Sequence, residues 1–152
     1  MARVKTDALG ETGEKIVRNH LASKGFIITD TIDVYDSTKD FDVEKNGKKY
    51  SVEVKTQVPF VLKNSFSVPQ RQSVKIKSVD MVIFVLVPPD RPFKHAGKMF
   101  VLNPRKVEMI PYTTKKGVEM ILIPIEQSGV KFLRDLTSQE ISLLQKQKST
   151  SY

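Results

Sequence analysis

The chain of 152 residues predicts an α/β fold, a mixed β-sheet flanked by helices. Three observations carry that prediction. Residues 9–24 repeat apolar side chains at helical spacing. Asn46-Gly47 separates two alternating runs, the pattern of a β-hairpin closed by a two-residue loop. Met81 to Val87 is continuously apolar, as in a strand covered on both faces. The order helix, strand, hairpin, helix, strand describes an α/β sandwich.

Taken along the chain, residues 1–8 are expected to be a frayed arm. Leu9, Ile16, Val17, His20 and Leu21 define one face of the first helix, which Gly25 stops. Glu14 stands nearly in line with Leu21 and so points toward the sheet, whereas Glu11 falls toward solvent. His20 lies on the apolar face and is expected to pack there rather than act as a ligand. Residues 26–35 form the first strand, with a kink at Asp30, and the hairpin follows. Pro59 ends strand pairing, and Ser67-Val68-Pro69 is expected to start a short helix that runs through Gln70 to Lys77, with proline in its first turn. The central strand runs from Asp80 to Val87 and is broken by Pro88-Pro89-Asp90-Arg91-Pro92. Phe93 to Lys98 is an exposed loop, in which His95 has no acidic partner in sequence and receives no catalytic role. Two further strands are expected near Met99–Leu102 and Val118–Ile125. Thr137-Ser138-Gln139-Glu140 has capping-box spacing and opens a last helix through Ile141, Leu143 and Leu144, with residues 148–152 as a disordered tail.

The hairpin holds the most informative pattern. A two-residue loop at Asn46-Gly47 sets opposite each other positions whose numbers sum to 93, pairing Phe41 with Val52, Asp42 with Ser51, Val43 with Tyr50 and Asp40 with Glu53. Alternation then sorts Phe41, Val43, Tyr50, Val52 and Val54 to the core side, and Asp40, Asp42, Glu53, Lys55 and Gln57 to the other. Like charges directly opposed across a pair destabilise it unless something positive lies between them. A divalent cation would supply that charge.

Asp40, a thirteen-residue step through a hairpin to Glu53, then Lys55 in Glu-Val-Lys resembles the PD-(D/E)XK nuclease superfamily, particularly its small Holliday-junction resolvase-like endonucleases. The segment Gly10-Glu11-Thr12-Gly13-Glu14-Lys15-Ile16-Val17, followed by Leu21 and Gly25-Phe26, resembles the first helix of that branch. The resemblance implies a restriction-endonuclease-like core over about residues 9–87 within one nuclease domain, residues 1–152, with extra C-terminal strands and a helix over about 93–147. It implies Asp40 and Glu53 as central metal ligands, Glu14 as a further one, and Lys55 as the catalytic lysine. The superfamily often has proline before its aspartate; here Lys39 stands there, which leaves Asp42 as a rival ligand, although the register favours Asp40.

On that resemblance the expected cofactor is Mg²⁺, with Mn²⁺ as substitute. Mg²⁺ takes oxygen ligands in octahedral geometry and keeps several waters, so Asp40, Glu53, the carbonyl of Val54 and a phosphate oxygen suffice. Lys55 would orient or deprotonate the attacking water or hold the phosphate, and Gln57, on the same face, would help position it. The expected activity is hydrolysis of DNA phosphodiester bonds, either structure-selective or site-specific in the manner of homing and restriction enzymes. A non-catalytic nucleic-acid-binding module on the same fold is the alternative of a different class. A junction-resolving activity would call for a homodimer or higher homo-oligomer.

The charge distribution agrees. The net charge is +8, and from Lys39 to Lys77 nine basic residues face four acids (Asp40, Asp42, Glu44 and Glu53). Lys39, Lys48, Lys49, Lys63, Arg71, Lys75 and Lys77 are the expected DNA contacts around an acidic centre, although Arg71, Gln72 and Lys75 would look the same on a merely solvated helix face. The absence of cysteine excludes disulfides and thiolate metal sites. No apolar run is long enough to span a bilayer, and a soluble, cytoplasmic protein is expected.

Overall fold

The structure, a computed structural model, describes residues 8–29 and 39–150, the last three by backbone alone. It is a mixed α/β assembly of a six-stranded mixed sheet, a second three-stranded sheet and three α-helices. The helices are α1 (Ala8–Ser23), α2 (Ser73–Lys77) and α3 (Ser138–Thr150). The strands are β1 (Ile27–Thr29), β2 (Phe41–Lys45), β3 (Lys48–Gln57), β4 (Ser65–Pro69), β5 (Met81–Leu86), β6 (Lys98–Leu102), β7 (Ile110–Thr113), β8 (Glu119–Pro124) and β9 (Val130–Asp135).

The main sheet has the order β1-β2-β3-β5-β6-β9, with β3 and β5 parallel and every other neighbouring pair antiparallel. The second sheet, β4-β8-β7, is antiparallel. β5 sits between β3 and β6 and is covered on both faces, as its apolar run predicts. Ile83, Val85 and Val87 enter one core with Ile16, Val17 and Leu21 of α1 and Leu144 of α3. Val82, Phe84 and Leu86 enter a second core with Phe66, Val68, Ile121 and Ile123 of the second sheet and Ile76 of α2. Phe66 stacks on Phe84 with ring centroids 4.0 Å apart.

Strand pairing in β2 and β3 follows the predicted register, Phe41 with Val52, Asp42 with Ser51 and Val43 with Tyr50. Asn46 and Gly47 take the positive φ values, 54° and 79°, that such a loop requires. α1 ends where Gly25, at φ 91°, lets the Phe26 amide donate back to the Leu21 carbonyl. The capping box of α3 is formed: the Glu140 amide donates to Thr137 Oγ1 at 3.1 Å and the Thr137 amide to a Glu140 oxygen at 2.9 Å.

Several expectations change. Ser65–Pro69 is a strand before the short helix, and β7 and β9 were not anticipated. The helix α3 runs to Thr150, so the tail expected from residue 148 is helical up to that point; residues 151 and 152 lie outside the described residues. So do the kink at Asp30, the strand expected over 32–35 and the arm up to residue 7. Residues after 93 are built into both sheets: β6 and β9 extend the main one, β7 and β8 form most of the second. No described helix is long and apolar enough to cross a membrane.

Candidate active site

The parallel register of β3 on β5 pairs Glu53 with Val82, Lys55 with Phe84 and Gln57 with Leu86. These three polar side chains therefore share the face that carries the second core, opposite α1. Glu53 is only 2% exposed on this face, which also carries the second core and the Lys75 side chain of α2. Val52 goes to the α1 side and is fully buried.

Asp40 continues the hairpin beyond the last paired residue. Its amide donates to the Val52 carbonyl at 2.9 Å, and its Oδ2 accepts from the Val54 amide at 2.7 Å. The Asp40 carboxylate is thus held against β3 beside Glu53. Asp42 lies opposite Ser51 and forms an ion pair with Lys39 at 2.8 Å. The rival carboxylate is thereby engaged apart from the Glu53 cluster.

Two ammonium groups converge on Glu53. Lys55 Nζ lies 3.3 Å and Lys75 Nζ 3.6 Å from its Oε2. Glu53 Oε1 is buried and, among the described residues, has no hydrogen-bond partner. Burial pushes the Glu53 carboxyl above the usual carboxylate range and the Asp40 charge adds to this, while Lys55 and Lys75 pull the other way. Lys55 also donates to Gln72 Oε1 at 2.5 Å. Gln72 is thus a site residue that sequence alone placed only among candidates for a phosphate contact. Its link to Lys55 spans 17 positions and is created by the fold.

Gln57, on the same face as expected, is bonded to the second sheet. Its Nε2 donates to the Ser67 carbonyl at 2.7 Å and its Oε1 accepts from the Ser67 amide at 2.9 Å. Both ends of the amide thus bind the backbone of β4 and tie the two sheets together. A second latch lies at the start of β5, where Asp80 Oδ2 accepts from the Ser51 amide at 2.9 Å and from Ser51 Oγ at 3.2 Å.

Glu14 pairs with Arg18 at 3.0 Å, and the Arg18 guanidinium lies over the Phe41 ring, 4.5 Å from its centroid. The neighbouring Gly13 is the point of closest approach to β3: a Cβ there would fall 1.7 Å from Thr56 Oγ1. α1 can cross β3 this closely only with glycine at that position. Among the described residues no three Asp, Glu, His or Cys side chains converge as a metal-binding group, so Glu14 stands apart from Asp40 and Glu53.

The expected DNA contacts divide by position. Lys48 and Lys49 are exposed at the hairpin tip, Lys63 on the single turn Val61–Lys63, and Arg71 and Lys77 around α2, whereas Lys39 and Lys75 are turned to Asp42 and Glu53. His20 is buried as expected and accepts from Arg134 Nε at 3.2 Å. His95 does have an acidic neighbour, Glu126 at 3.4 Å, supplied by a segment far away in sequence.

A hard divalent cation fits this donor set. The bare Glu53 Oε1 is an acceptor lacking a partner, Asp40 stands beside it, and Mg²⁺ needs only one or two carboxylates when waters and phosphate complete its shell. No family model matches the chain, and no curated protein matches it in sequence. In fold it is similar to a solved bacterial homing endonuclease, I-Ssp6803I, at a TM-score of 0.51 and 16% identity, with 97% of this chain and 99% of that one covered. The likeness extends over both sheets and the terminal helices, well beyond the hairpin.

Proposed function

We propose that the protein is a metal-dependent DNA endonuclease of the PD-(D/E)XK type, with Asp40, Glu53 and Lys55 at its centre. The observation that carries the proposal is the buried Glu53 carboxylate, set beside Asp40 and Lys55 with one oxygen bare. A structural carboxylate at such depth would be fully hydrogen-bonded. The fold it shares with a homing endonuclease supports DNA as substrate.

Asp40 and Glu53, with the carbonyl of Val54, would hold Mg²⁺ or Mn²⁺. The bound ion would acidify a water and stabilise the charge that develops on the phosphate. Lys55, held between Gln72 and Glu53, would orient that water or hold a phosphate oxygen. Glu14 would join only if Arg18 released it, which makes it a candidate for a second metal position. Lys48 and Lys49 lie about 15 Å along β3 from Glu53, at roughly 3.3 Å per residue, so they would contact phosphates away from the scissile one.

Site-specific cutting is favoured over junction resolution by one feature, the second sheet packed on the site's own face. It offers strands beside the cleavage centre, and strands can read base edges in a groove. The test is Mg²⁺-dependent cleavage of an end-labelled four-way junction, matched duplexes and a randomised-duplex library, with Asp40→Ala as control. Cutting at a defined duplex sequence is expected; symmetric nicks confined to the junction would establish a resolvase-like enzyme acting as a homodimer. DNA binding indifferent to metal, without products, would establish the non-catalytic module. A fully active Lys55→Ala protein would remove Lys55 from the centre.

A further inference from the structure

α2 is short, yet its orientation is rigidly set. Ile76 is fully buried in the second core, and the single turn Gln70–Gln72 joins the helix to β4, which is paired along its length with β8. With Ile76 pinned, the remaining side chains are sorted: Arg71, Val74 and Lys77 are exposed, while Gln72 and Lys75 turn to the site. Lys75 is one of several cations in this stretch of sequence, and the fold singles it out by bringing it to Glu53.

The two ammonium groups on Glu53 are not equivalent. Lys55 is only 18% exposed and has Gln72 as a second partner; Lys75 is 34% exposed, and among the described residues its ion pair is with Glu53. At 3.6 Å that contact is electrostatic rather than a tight hydrogen bond. A carboxylate this deeply buried requires compensating charge, and Lys75 supplies it from the solvent side. A divalent cation on Glu53 would take over that compensation and repel the ammonium. Lys75 has a flexible four-carbon stem and enough exposure to swing outward, where the nearest anion in a DNA complex is a backbone phosphate.

We propose that Lys75 is the resident counter-ion of Glu53 and that metal binding there releases its ammonium to a phosphate of bound DNA. The inference rests on the metal-dependent reading above. It makes Lys75 a coupling element between metal and DNA: if metal frees Lys75 for phosphate, DNA must in return strengthen metal binding by the same factor.

The experiment compares the full-length protein with Lys75→Met, which keeps the apolar stem and removes the charge. Mn²⁺ binding without DNA is measured by calorimetry. Loss of the competing ammonium should tighten it on the order of tenfold, while Lys77→Met, on the exposed side of α2, should leave it unchanged. The salt dependence of binding to a fixed short duplex is then measured with and without a constant concentration of Ca²⁺. Each phosphate neutralised contributes a slope of about −0.9 in log K against log salt. Added Ca²⁺ should therefore steepen the wild-type slope, relative to Lys75→Met, by about one such increment.

Unchanged Mn²⁺ affinity in Lys75→Met, with binding still abolished by Glu53→Gln, would overturn the inference alone. Tighter Mn²⁺ binding with no metal-linked difference in slope would overturn the transfer to phosphate. Absence of Mn²⁺ binding by the wild-type protein would instead overturn the metal-dependent reading beneath it.

Discussion

Glu53 and Glu140 are both carboxylates at the contact of a strand with a helix, and they are treated in opposite ways. Glu140 meets Arg134 through two hydrogen bonds, at 2.8 and 3.0 Å, and caps α3 through the Thr137 amide. Arg134 also reaches His20 on α1, so one guanidinium joins α1, β9 and α3. Those bonds hold the Glu140 carboxyl below the usual range, the Arg134 bond foremost, and raise Arg134 in turn. Glu53 is more deeply buried, has ammonium groups at longer range on one oxygen and none on the other, and is pushed upward. A saturated carboxylate stabilises the fold; one held unsaturated opposes it.

The largest expected effect separates the two on activity. Glu53→Gln or Asp40→Ala should lower metal-dependent cleavage on the order of 10³-fold or more, measured as single-turnover rates. The metal-free Glu53→Gln protein should be at least as stable as wild type in urea at neutral pH, because the raised Glu53 pKa means that its charged form opposes folding. A marked loss of stability would make Glu53 structural and erase the distinction.

Glu140→Ala should do the converse. Loss of the paired bonds and of the cap should destabilise the protein by about 2 kcal/mol, with the cleavage rate per folded molecule unchanged. Glu140→Gln, which keeps an acceptor for the Thr137 amide, should lose about half as much.

The pH dependence sharpens the contrast. Burial, then Arg134 and Lys24, holds the His20 pKa below 6.5, with Glu140 as the opposing influence. The unfolded chain therefore binds the His20 proton more readily than the folded one, and the stability contributed by neutral His20 is present above pH 6.5 and lost as pH falls through its folded pKa. Glu140 adds a further loss below about 4.5, since its pKa is also lowered. Glu53 has the opposite sign: its raised pKa makes the folded state gain on acidification and lose stability as pH rises from 4.5 through the folded value. Urea midpoints of wild type and His20→Gln from pH 7.5 to 5 should converge toward the acid end.

The smallest effect concerns a third carboxylate. Glu126 is held at a pKa of about 2 by Lys94 first, then Asn64 and His95, yet it is open to solvent. Screening by water makes such surface contacts weak, and Glu126→Gln should leave the thermal midpoint where it was.

Much of this was legible in the chain. The hairpin register followed from Asn46-Gly47, the two-sided burial of β5 from its apolar run, and the α3 start from Thr137 and Glu140, because each depends on neighbours a few positions apart. β4, β7 and β9 were hidden for local reasons. Pro69 and Pro111 interrupt the strand pattern, and both are tolerated because β4 and β7 are the edges of the second sheet. β9 is the edge of the main sheet and mixes Lys131, Phe132, Leu133 and Arg134 without clean alternation.

By itself, then, the sequence determined the α/β class, the hairpin register from Phe41–Val52 to the Asn46-Gly47 loop, and the excess of cations around Asp40 and Glu53. The tertiary structure decided that Glu53 would be buried, that Gln57 would bind the backbone of β4, and that Lys75 and Gln72 would close on Glu53 and Lys55. Register within a hairpin is dictated by a loop of two residues; which side chain compensates a buried charge is decided only when elements distant in sequence pack against it.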